Sequence, residues 1–479
     1  MSGKKELVLG KWEIVMGLEV HCQLSTQRKL FCDCLNEECL QPNKNICPVC
    51  MGYPGVLPKL NSEAVAFAVR AASALKCTIQ ENSEFSRKHY FYPDLPKGYQ
   101  ITQFQFPLAQ HGFVGIGSPT PNGFSHQVTI RRVHMEEDAG KNVHLDNASY
   151  INFNRAGVPL IEIVTEPFQG EPADASQYVR HLHWILMSAG VTRGSLEEGH
   201  LRCDVNVSVR PKGSQELRTR VEVKNLNSFR FIEKAIVAEV TRQIALYEKG
   251  QSPDLETRLF NQKTSGTQLM RSKEEAMDYR YFPEPDLPPL KLYPDWIKQH
   301  CFESSVLQEK CSIMLECGAD EKQANTLMAS PSLRGLYHES LKLGADPKVV
   351  KDWILTTVIE YMKGDQPPVS ASQLVELIQL VADKKINQLS AKNILEQISY
   401  TRVSPKKFVQ EKSLEMTSSE EDILPKVRAM VKDHPEEWKR YCAGEEKLLK
   451  FFMGQVMRLA QGKINPNVAS DLIQTIRKE

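Results

Sequence analysis

The chain has 479 residues, with 60 Lys and Arg against 59 Asp and Glu, which gives a formal net charge of +1. At roughly 100–200 residues per domain, this length suggests about three domains with ample core. Hydrophobic residues make up 41% and charged residues 25%, as in an ordinary globular protein, and the near-zero net charge argues against a uniformly basic nucleic-acid coat protein and an acidic disordered tail. No apolar run approaches the ~20 residues that span a membrane, and the first residues lack a signal core. We therefore expect a cytoplasmic protein without membrane contact.

The first predicted elements are a strand and a helix. A strand over 14–21 places Glu19 and His21 on one face, because side chains alternate along a strand. A helix is predicted over 62–76, with Asn61 as the residue that caps its first turn.

Two runs of alternating side chains follow, over 201–210 and 217–224. They are predicted to pair as antiparallel strands joined by a turn at 211–214. A helix is predicted over 228–249, and it ends at Gly250. Together these elements predict an α+β fold with a mostly antiparallel sheet.

Helical patterns dominate after the proline-rich segment 281–289, which cannot continue a helix and is predicted to be an extended connector. Examples are 372–382 and 446–460, and a polar break falls near 411–422. The predicted domains are an N-terminal sheet domain over 1–292, a helical domain over 293–410 and a small helical tail domain over 411–479.

Five of the twelve cysteines lie within a short segment. Cys32 and Cys34 are followed, after twelve residues, by Cys47 and Cys50, a spacing typical of a tetrahedral zinc site. Four thiolates leave no open position on the metal, so such a site would be structural. Cys39 lies in the gap and could replace one ligand, and the alternative is a chance cluster of thiols. The other, scattered cysteines are expected to be small buried residues.

A second pattern is acidic. Glu19 and His21 on one strand, Glu136 and Glu137 at the end of another, and Asp204 on a third could together hold Mg²⁺, which prefers oxygen ligands. The alternative is a solvated acidic turn beside ordinary polar strand residues.

A third pattern is basic. Residues 201–234 carry eight Lys and Arg against four Asp and Glu, a charge that would suit ATP or an RNA end. A solvated sheet surface explains the same residues equally well. The sequence contains no phosphate loop of the G-x-x-x-x-G-K-[ST] type, so any nucleotide chemistry would need another cradle.

Longer motifs occur in a fixed order along almost the whole chain. They are Gly17–His21, Cys47–Pro58, Arg87–Asp94, His134–Lys141, Asn154–Glu162, Glu197–Asp204, Val223–Phe229, Asp278–Asp286, Phe452–Met457 and Asn465–Pro466. In these motifs the chain closely resembles the family of B subunits of the glutamyl/aspartyl-tRNA amidotransferase.

The resemblance implies a catalytic cradle fold in the first domain, which also carries the zinc knuckle, and tRNA-gripping parts in the helical and tail domains. It implies an ATP- and Mg²⁺-dependent ligase that phosphorylates the side-chain carboxylate of misacylated Glu-tRNA(Gln) or Asp-tRNA(Asn) and then amidates it with ammonia. The catalytic and magnesium residues implied are Glu19, His21, Glu136 and Glu137, with Asp204 as a further magnesium ligand. The residues implied to bind phosphate or the tRNA end are Lys88, Arg202 and Lys224.

The same resemblance implies partners. An amidase-like A subunit would release ammonia from glutamine, a small C subunit would brace the pair, and the zinc of Cys32, Cys34, Cys47 and Cys50 would be structural. No amidase-like Ser/Ser/Lys pattern is recognisable in this chain, which agrees with that division of labour. The sequence does not distinguish the Glu-tRNA(Gln) from the Asp-tRNA(Asn) substrate. A non-catalytic, zinc-containing tRNA-binding protein is the competing hypothesis.

Overall fold

The computed structural model of the chain describes residues 9–145, 148–271, 278–412, 414–416, 419–460, 464 and 466–478. The chain forms two compact units, Met1–Cys311 and Ser312–Glu479. The first unit carries a large sheet and the second is helical, so the α+β prediction is confirmed. The division of the chain into three domains stays a prediction.

The strands lie in the first unit. In chain order they are β1 (Trp12–Gln23), β2 (Thr78–Ile79), β3 (Asn82–Ser83), β4 (Ser86–His89), β5 (Tyr99–Thr102), β6 (Ala109–Thr120), β7 (Gly123–Glu137), β8 (Lys141–Leu145), β9 (Ala148–Asn152), β10 (Pro159–Thr165), β11 (Phe168–Gln169), β12 (Leu201–Pro211), β13 (Val221–Leu226), β14 (Thr257–Asn261), β15 (Gly266–Arg271), β16 (Phe282–Pro283) and β17 (Leu290–Lys291).

Ten of these strands form one sheet in the order β15-β14-β13-β12-β1-β10-β7-β6-β2, with β11 beside β1. Strands β13 and β14 are parallel, while β1, β7, β10 and β12 pair antiparallel with one another as neighbours. Strand β1 therefore lies inside the sheet, between strands that come much later in the sequence. This confirms the mostly antiparallel sheet.

The predicted pairing of the runs 201–210 and 217–224 is confirmed, since Val205 lies opposite Val223 in antiparallel register. The second strand begins at Val221, four residues later than predicted. The guanidinium of Arg218 instead lies over the rings of Trp12 and Tyr247, at 5.4 and 4.7 Å from their centroids. Residues 217–220 thus lie outside the strand.

The helices run through both units. In chain order they are α1 (Ser62–Ala74), α2 (Pro172–Ser188), α3 (Phe229–Glu248), α4 (Pro294–His300), α5 (Val306–Cys317), α6 (Glu321–Ala329), α7 (Pro331–Lys342), α8 (Pro347–Thr356), α9 (Ala371–Ala382), α10 (Gln388–Ile398), α11 (Pro405–Glu411), α12 (Glu420–Asp433), α13 (Pro435–Cys442), α14 (Leu448–Leu459) and α15 (Pro466–Lys478).

Local signals explain where the helices begin and end. The side chain of Asn61 accepts hydrogen bonds from the backbone N–H groups of Glu63 and Ala64, so the predicted cap of α1 is confirmed. Helix α3 begins after Ser228, whose side chain caps it, and the chain turns away at Gly250 with a φ of 72°.

The second unit buries the apolar faces of its helices. In the last helices of this unit, the helical pattern predicted over 446–460 contributes Phe452 and Val456 to a core with Tyr441 and Ile473. The apolar side of that pattern thus packs a core. No helix in the described part of the chain is both long and apolar enough to span a membrane.

The twelve cysteines are all free thiols. The scattered ones are buried at Cys22, Cys203 and two positions of helix α5, as predicted. The expectation of burial is wrong for Cys301 and Cys442, which are exposed.

Candidate functional site

Neighbouring strands of the central sheet place four polar side chains in one row. Register pairs His134 of β7 with Glu162 of β10, Glu162 with His21 of β1, and His21 with Arg202 of β12. Residues directly opposite one another in a sheet point to the same face, so the row forms without any loop.

The centre of the row is a buried cluster of imidazoles and carboxylates. Nε2 of His21 lies 3.3 Å from Oε1 of Glu136 and 3.4 Å from Oε2 of Glu162. Nε2 of His134 lies 3.2 Å from the same Glu162 oxygen, and Thr102 donates a hydrogen bond to Glu136. Ligand atoms of His21, Glu136 and Glu162 lie within 4.8 Å of one another, which fits a metal ion.

The charges of this cluster depend on one another. Burial opposes protonation of His21, but Glu162 and Glu136 outweigh it and raise the pKa of the imidazole well above its usual range. Burial opposes ionisation of Glu162, but His134 and His21 outweigh it and hold the pKa of that carboxyl well below its usual range. The two carboxylates therefore favour a positive charge between them, which a proton or a metal cation can supply.

A second group of carboxylates lies two residues further along the same strands. Glu19 of β1 is paired in register with Asp204 of β12. Burial, followed by the charges of Glu162 and Glu222, raises the pKa of Glu19. Lys224 donates to Asp204 at 2.5 Å and lies 3.0 Å from Glu222. The predicted residues Glu19 and Asp204 thus adjoin the central cluster.

The three predicted cations differ in what they contact. Arg202 donates to Asp138 at 2.5 Å, and Lys224 is bound by the two carboxylates described above. Lys88 makes no hydrogen bond or ion pair with the described residues, and its ammonium lies 4.7 Å from the centroid of the Tyr279 ring. Of these three cations, Lys88 is the one without a carboxylate partner within hydrogen-bond or ion-pair distance among the described residues.

Two buried arginine nitrogens also lack partners. Nε of Arg132 and Nε of Arg202 make no hydrogen bond within the described ranges, and both residues line the cavity. Unsatisfied buried donors of this kind are costly, so they favour an anionic ligand in the cavity.

These side chains line a cavity of about 630 Å³. Its charged lining comprises seven carboxylates and six cations, Glu19, Glu136, Asp138, Glu162, Asp204, Glu222 and Glu256 with Lys88, Arg132, Arg155, Arg202, Arg220 and Lys224. The near-zero charge of the chain thus conceals a site in which both signs are concentrated.

Glu137 is not brought into this cluster. It is next to Glu136 on β7, so its side chain points to the opposite face of the strand. There it pairs with Lys97 and accepts a hydrogen bond from the backbone N–H of Ile101 at 2.8 Å. Glu137 therefore binds residues behind the cavity and is not among the residues that line it.

The cysteines form a separate cluster. The sulfurs of Cys32, Cys34, Cys47 and Cys50 lie within 4.8 Å of one another, and a tetrahedral zinc site would space them by about 3.8 Å. A hydrogen bond from Cys32, aided by the ammonium of Lys29, lowers the pKa of Cys50 to about 5 against the effect of burial. This donor set fits a metal ion.

Cys39 lies outside this set. Its thiol donates instead to the carbonyl of Gln41 at 3.4 Å. The alternative ligand considered for the cluster is therefore not brought to it.

Sequence reasoning missed Glu162 and His134 as members of the central row. The signal for Glu162 is a carboxylate inside the apolar run Pro159–Thr165, since a charge in a strand that is buried along its length needs a partner. For His134 the alternation with Glu136 along β7 was the available signal.

A cavity that gathers buried carboxylates, imidazoles and unsatisfied cationic donors is typical of an enzyme. Comparison with known families agrees. The model of the GatB/GatE catalytic domain matches residues 14–298, and the model of the GatB domain matches residues 336–476.

Curated relatives match the chain over nearly its full length. The B subunit of the aspartyl/glutamyl-tRNA(Asn/Gln) amidotransferase of Thermodesulfovibrio yellowstonii is 44% identical over 477 residues, which is 98% of this chain and 100% of the relative. Those of Persephonella marina and Geobacter sp. strain M21 are each 41% identical, over 98% and 97% of this chain and 100% and 98% of theirs. The chain belongs to the family of B subunits of the aspartyl/glutamyl-tRNA amidotransferase, as its motifs predicted.

Proposed function

We propose that this chain catalyses the ATP-dependent half of a tRNA-dependent amidotransferase reaction. The γ-phosphoryl group of ATP passes to the side-chain carboxylate of Glu or Asp misacylated on tRNA(Gln) or tRNA(Asn), giving an acyl phosphate and ADP. Ammonia then attacks the acyl carbon, phosphate leaves with the electron pair of the C–O bond, and Gln-tRNA(Gln) or Asn-tRNA(Asn) is formed. The observation that carries this proposal is the cavity in which a buried carboxylate cluster faces unpaired cationic donors.

Mg²⁺ fits the oxygen-rich part of that cavity. Glu136, Glu162 and His21 are the residues that would hold it, with Glu19 and Asp204 beside them. When bound, Mg²⁺ would supply positive charge against the phosphate oxygens of ATP. We propose Glu162 as a ligand in place of Glu137, which the resemblance implied, because Glu137 lies on the other face of β7.

The chain's own cations would orient the anionic groups. Lys88 lies close enough to Glu136 and Glu162 for their charges to raise its pKa against the effect of burial, so it stays an ammonium ion. It can bind a phosphoryl oxygen without first breaking an ion pair. Arg202 is held in place by Asp138, and its partly exposed guanidinium can donate a further hydrogen bond to an anion in the cavity.

Zinc is the ion proposed for the four cysteines. Four thiolates within reach of a single ion select zinc among the common structural ions and leave no position for a substrate. The cluster therefore has a structural role, in which it fixes the segment that precedes helix α1.

Ammonia, partners and location complete the proposal. The ammonia would come from a glutamine-hydrolysing A subunit, and a small C subunit would stabilise the assembly. The complex would work in the cytoplasm, where misacylated tRNA is available. Copurification of the three tagged proteins tests this composition.

A reconstituted assay tests the reaction itself. Misacylated Glu-tRNA(Gln) and Asp-tRNA(Asn) are supplied in turn with ATP, Mg²⁺ and ammonium chloride, and both ADP and amidated tRNA are measured. We expect Glu162→Gln to lower kcat/KM by about 100-fold or more, because it removes a charge from the phosphoryl-transfer site. Glu166→Gln, just beyond the same strand and outside the cavity lining, is the matched control and should stay within about twofold of the unchanged chain.

Two outcomes would contradict the proposal. Full activity in Glu162→Gln would remove the cavity from the reaction. Binding of tRNA by the unchanged chain, without ADP formation that depends on misacylated tRNA, would favour the non-catalytic tRNA-binding protein.

A further inference from the structure

Lys29 is a buried cation that the cavity does not use. Its side chain is 0% exposed. Its ammonium donates to the carbonyl oxygen of Asn45 at 2.9 Å and lies 3.9 Å from Sγ of Cys50. These are its polar side-chain contacts among the described residues, and neither partner is a carboxylate.

A buried ammonium ion needs an anionic partner, since burial alone disfavours its charged form. The carbonyl of Asn45 offers only part of a charge. Four thiolates around one divalent ion carry a net charge of 2−, which in turn needs a cation where water is excluded. The ammonium of Lys29 and the negative charge of the metal–thiolate complex can therefore neutralise each other.

We propose that Lys29 is the counter-ion of the metal held by the four cysteines. It is a positioning residue, which acts on the metal through Cys50 and is not itself a ligand. This inference rests on the proposed zinc site and is independent of the amidation chemistry.

The backbone of Lys29 supports the same role. Its N–H donates to the carbonyl of Cys34 at 2.9 Å, while its side chain reaches Cys50. One residue thereby connects the first pair of thiols to the second. A Cβ placed on Gly157 would lie 3.6 Å from the Lys29 stem and 3.5 Å from Cys50, so this glycine covers the contact at close range.

The sign of the effect follows from the charge of the complex. Binding of zinc turns a group of thiols into a complex with net negative charge, and a nearby ammonium stabilises that product. Replacement of Lys29 by an uncharged residue should therefore weaken zinc binding. Substitution of a residue that contacts a metal ligand without binding the metal typically lowers metal affinity by roughly 10- to 100-fold.

The test compares zinc retention in the full-length chain and its variants. Zinc per chain is measured first, and apparent affinity then comes from competition with a chromogenic chelator. Lys29→Met should lose affinity by roughly 10- to 100-fold. Lys44→Met is the matched control, because Lys44 is an exposed lysine in the segment between the two thiol pairs, and this variant should bind zinc as the unchanged chain does.

Two results of this comparison would overturn the proposal. Wild-type zinc affinity in Lys29→Met overturns it, and so does an equal loss in Lys44→Met, which would indicate a general effect of charge. If Lys29→Met does not fold, Lys29→Arg decides, because it keeps the charge. Zinc affinity of Lys29→Arg within about threefold of the unchanged chain supports the counter-ion, and any larger loss overturns it. Absence of zinc from the unchanged chain would refute both the zinc site and this inference, while the amidation assay would stand by itself.

Discussion

Acid should destabilise the first unit through one buried histidine. His181 of helix α2 is 0% exposed, and its Nδ1 donates to the carbonyl of Gly115 at 2.7 Å. Its Nε2 therefore carries a lone pair, which accepts from the ammonium of Lys310 at 2.9 Å. Protonation of Nε2 would remove that hydrogen bond and set two positive charges against each other.

The size of the effect follows from the pKa. Burial, followed by the charge of Lys310, lowers the pKa of His181 from 6.5 to about 3. The unfolded chain thus binds a proton that the folded chain excludes, so stability is present above pH 6.5 and is lost as pH falls toward 3. At 1.36 kcal/mol per unit, acidification from about pH 7.5 to about pH 5 should cost about 2 kcal/mol from this residue.

Urea unfolding followed by tryptophan fluorescence measures this loss. The ring of Trp184 lies 5.6 Å from that of His181, so a reporter is already in place. His181→Gln is uncharged at every pH. Over this interval its free energy of unfolding should fall by about 2 kcal/mol less than that of the unchanged chain. Lys310→Met should reduce this loss of stability only in part, because the burial of His181 still lowers its pKa. Equal slopes in the unchanged chain and His181→Gln would refute the reasoning.

Three other predictions concern the elements around the site. Cys47→Ser should abolish stoichiometric zinc in metal analysis, because it removes one of four thiolates, and undiminished zinc would contradict the ligand set. Gly52→Ala should lower the free energy of unfolding by roughly 1–3 kcal/mol, since its φ is +65° and a Cβ would clash with the Lys97 side chain. An unchanged urea midpoint would contradict that contact. Asn61→Ala should cost about 1 kcal/mol through loss of the α1 cap, and Asn61→Asp should retain most of it.

Strand periodicity predicted the part of the site that lies on one strand. Alternation over 14–21 was enough to place Glu19 and His21 on the same face, and the strand β1 does so. The same rule applied to β7 separates Glu136 from Glu137. The resemblance grouped these two glutamates because they are neighbours in sequence, whereas the strand places them back to back.

The partners of the cations could not be predicted in the same way. Arg202 is neutralised by Asp138, and Lys88 approaches Glu136 and Glu162, through strand order that no local pattern contains. Composition showed that 201–234 is basic, but not which acid each cation meets: Arg202 binds Asp138 from outside the segment, whereas Lys224 binds Asp204 and Glu222 within it. The pairing of strands decides which cation remains free, and that pairing is set by the whole sheet.

The position of β1 has a consequence for how the chain is made. This strand is synthesised first, yet its neighbours β10 and β12 begin only at Pro159 and Leu201. A nascent chain must therefore present an apolar strand with two unpaired edges until its partners have emerged from the ribosome. Such strands fold slowly and invite aggregation or chaperone binding. A chain interrupted before Leu201 would lack β12 and therefore Arg202 opposite His21, so competence for catalysis arrives late in synthesis.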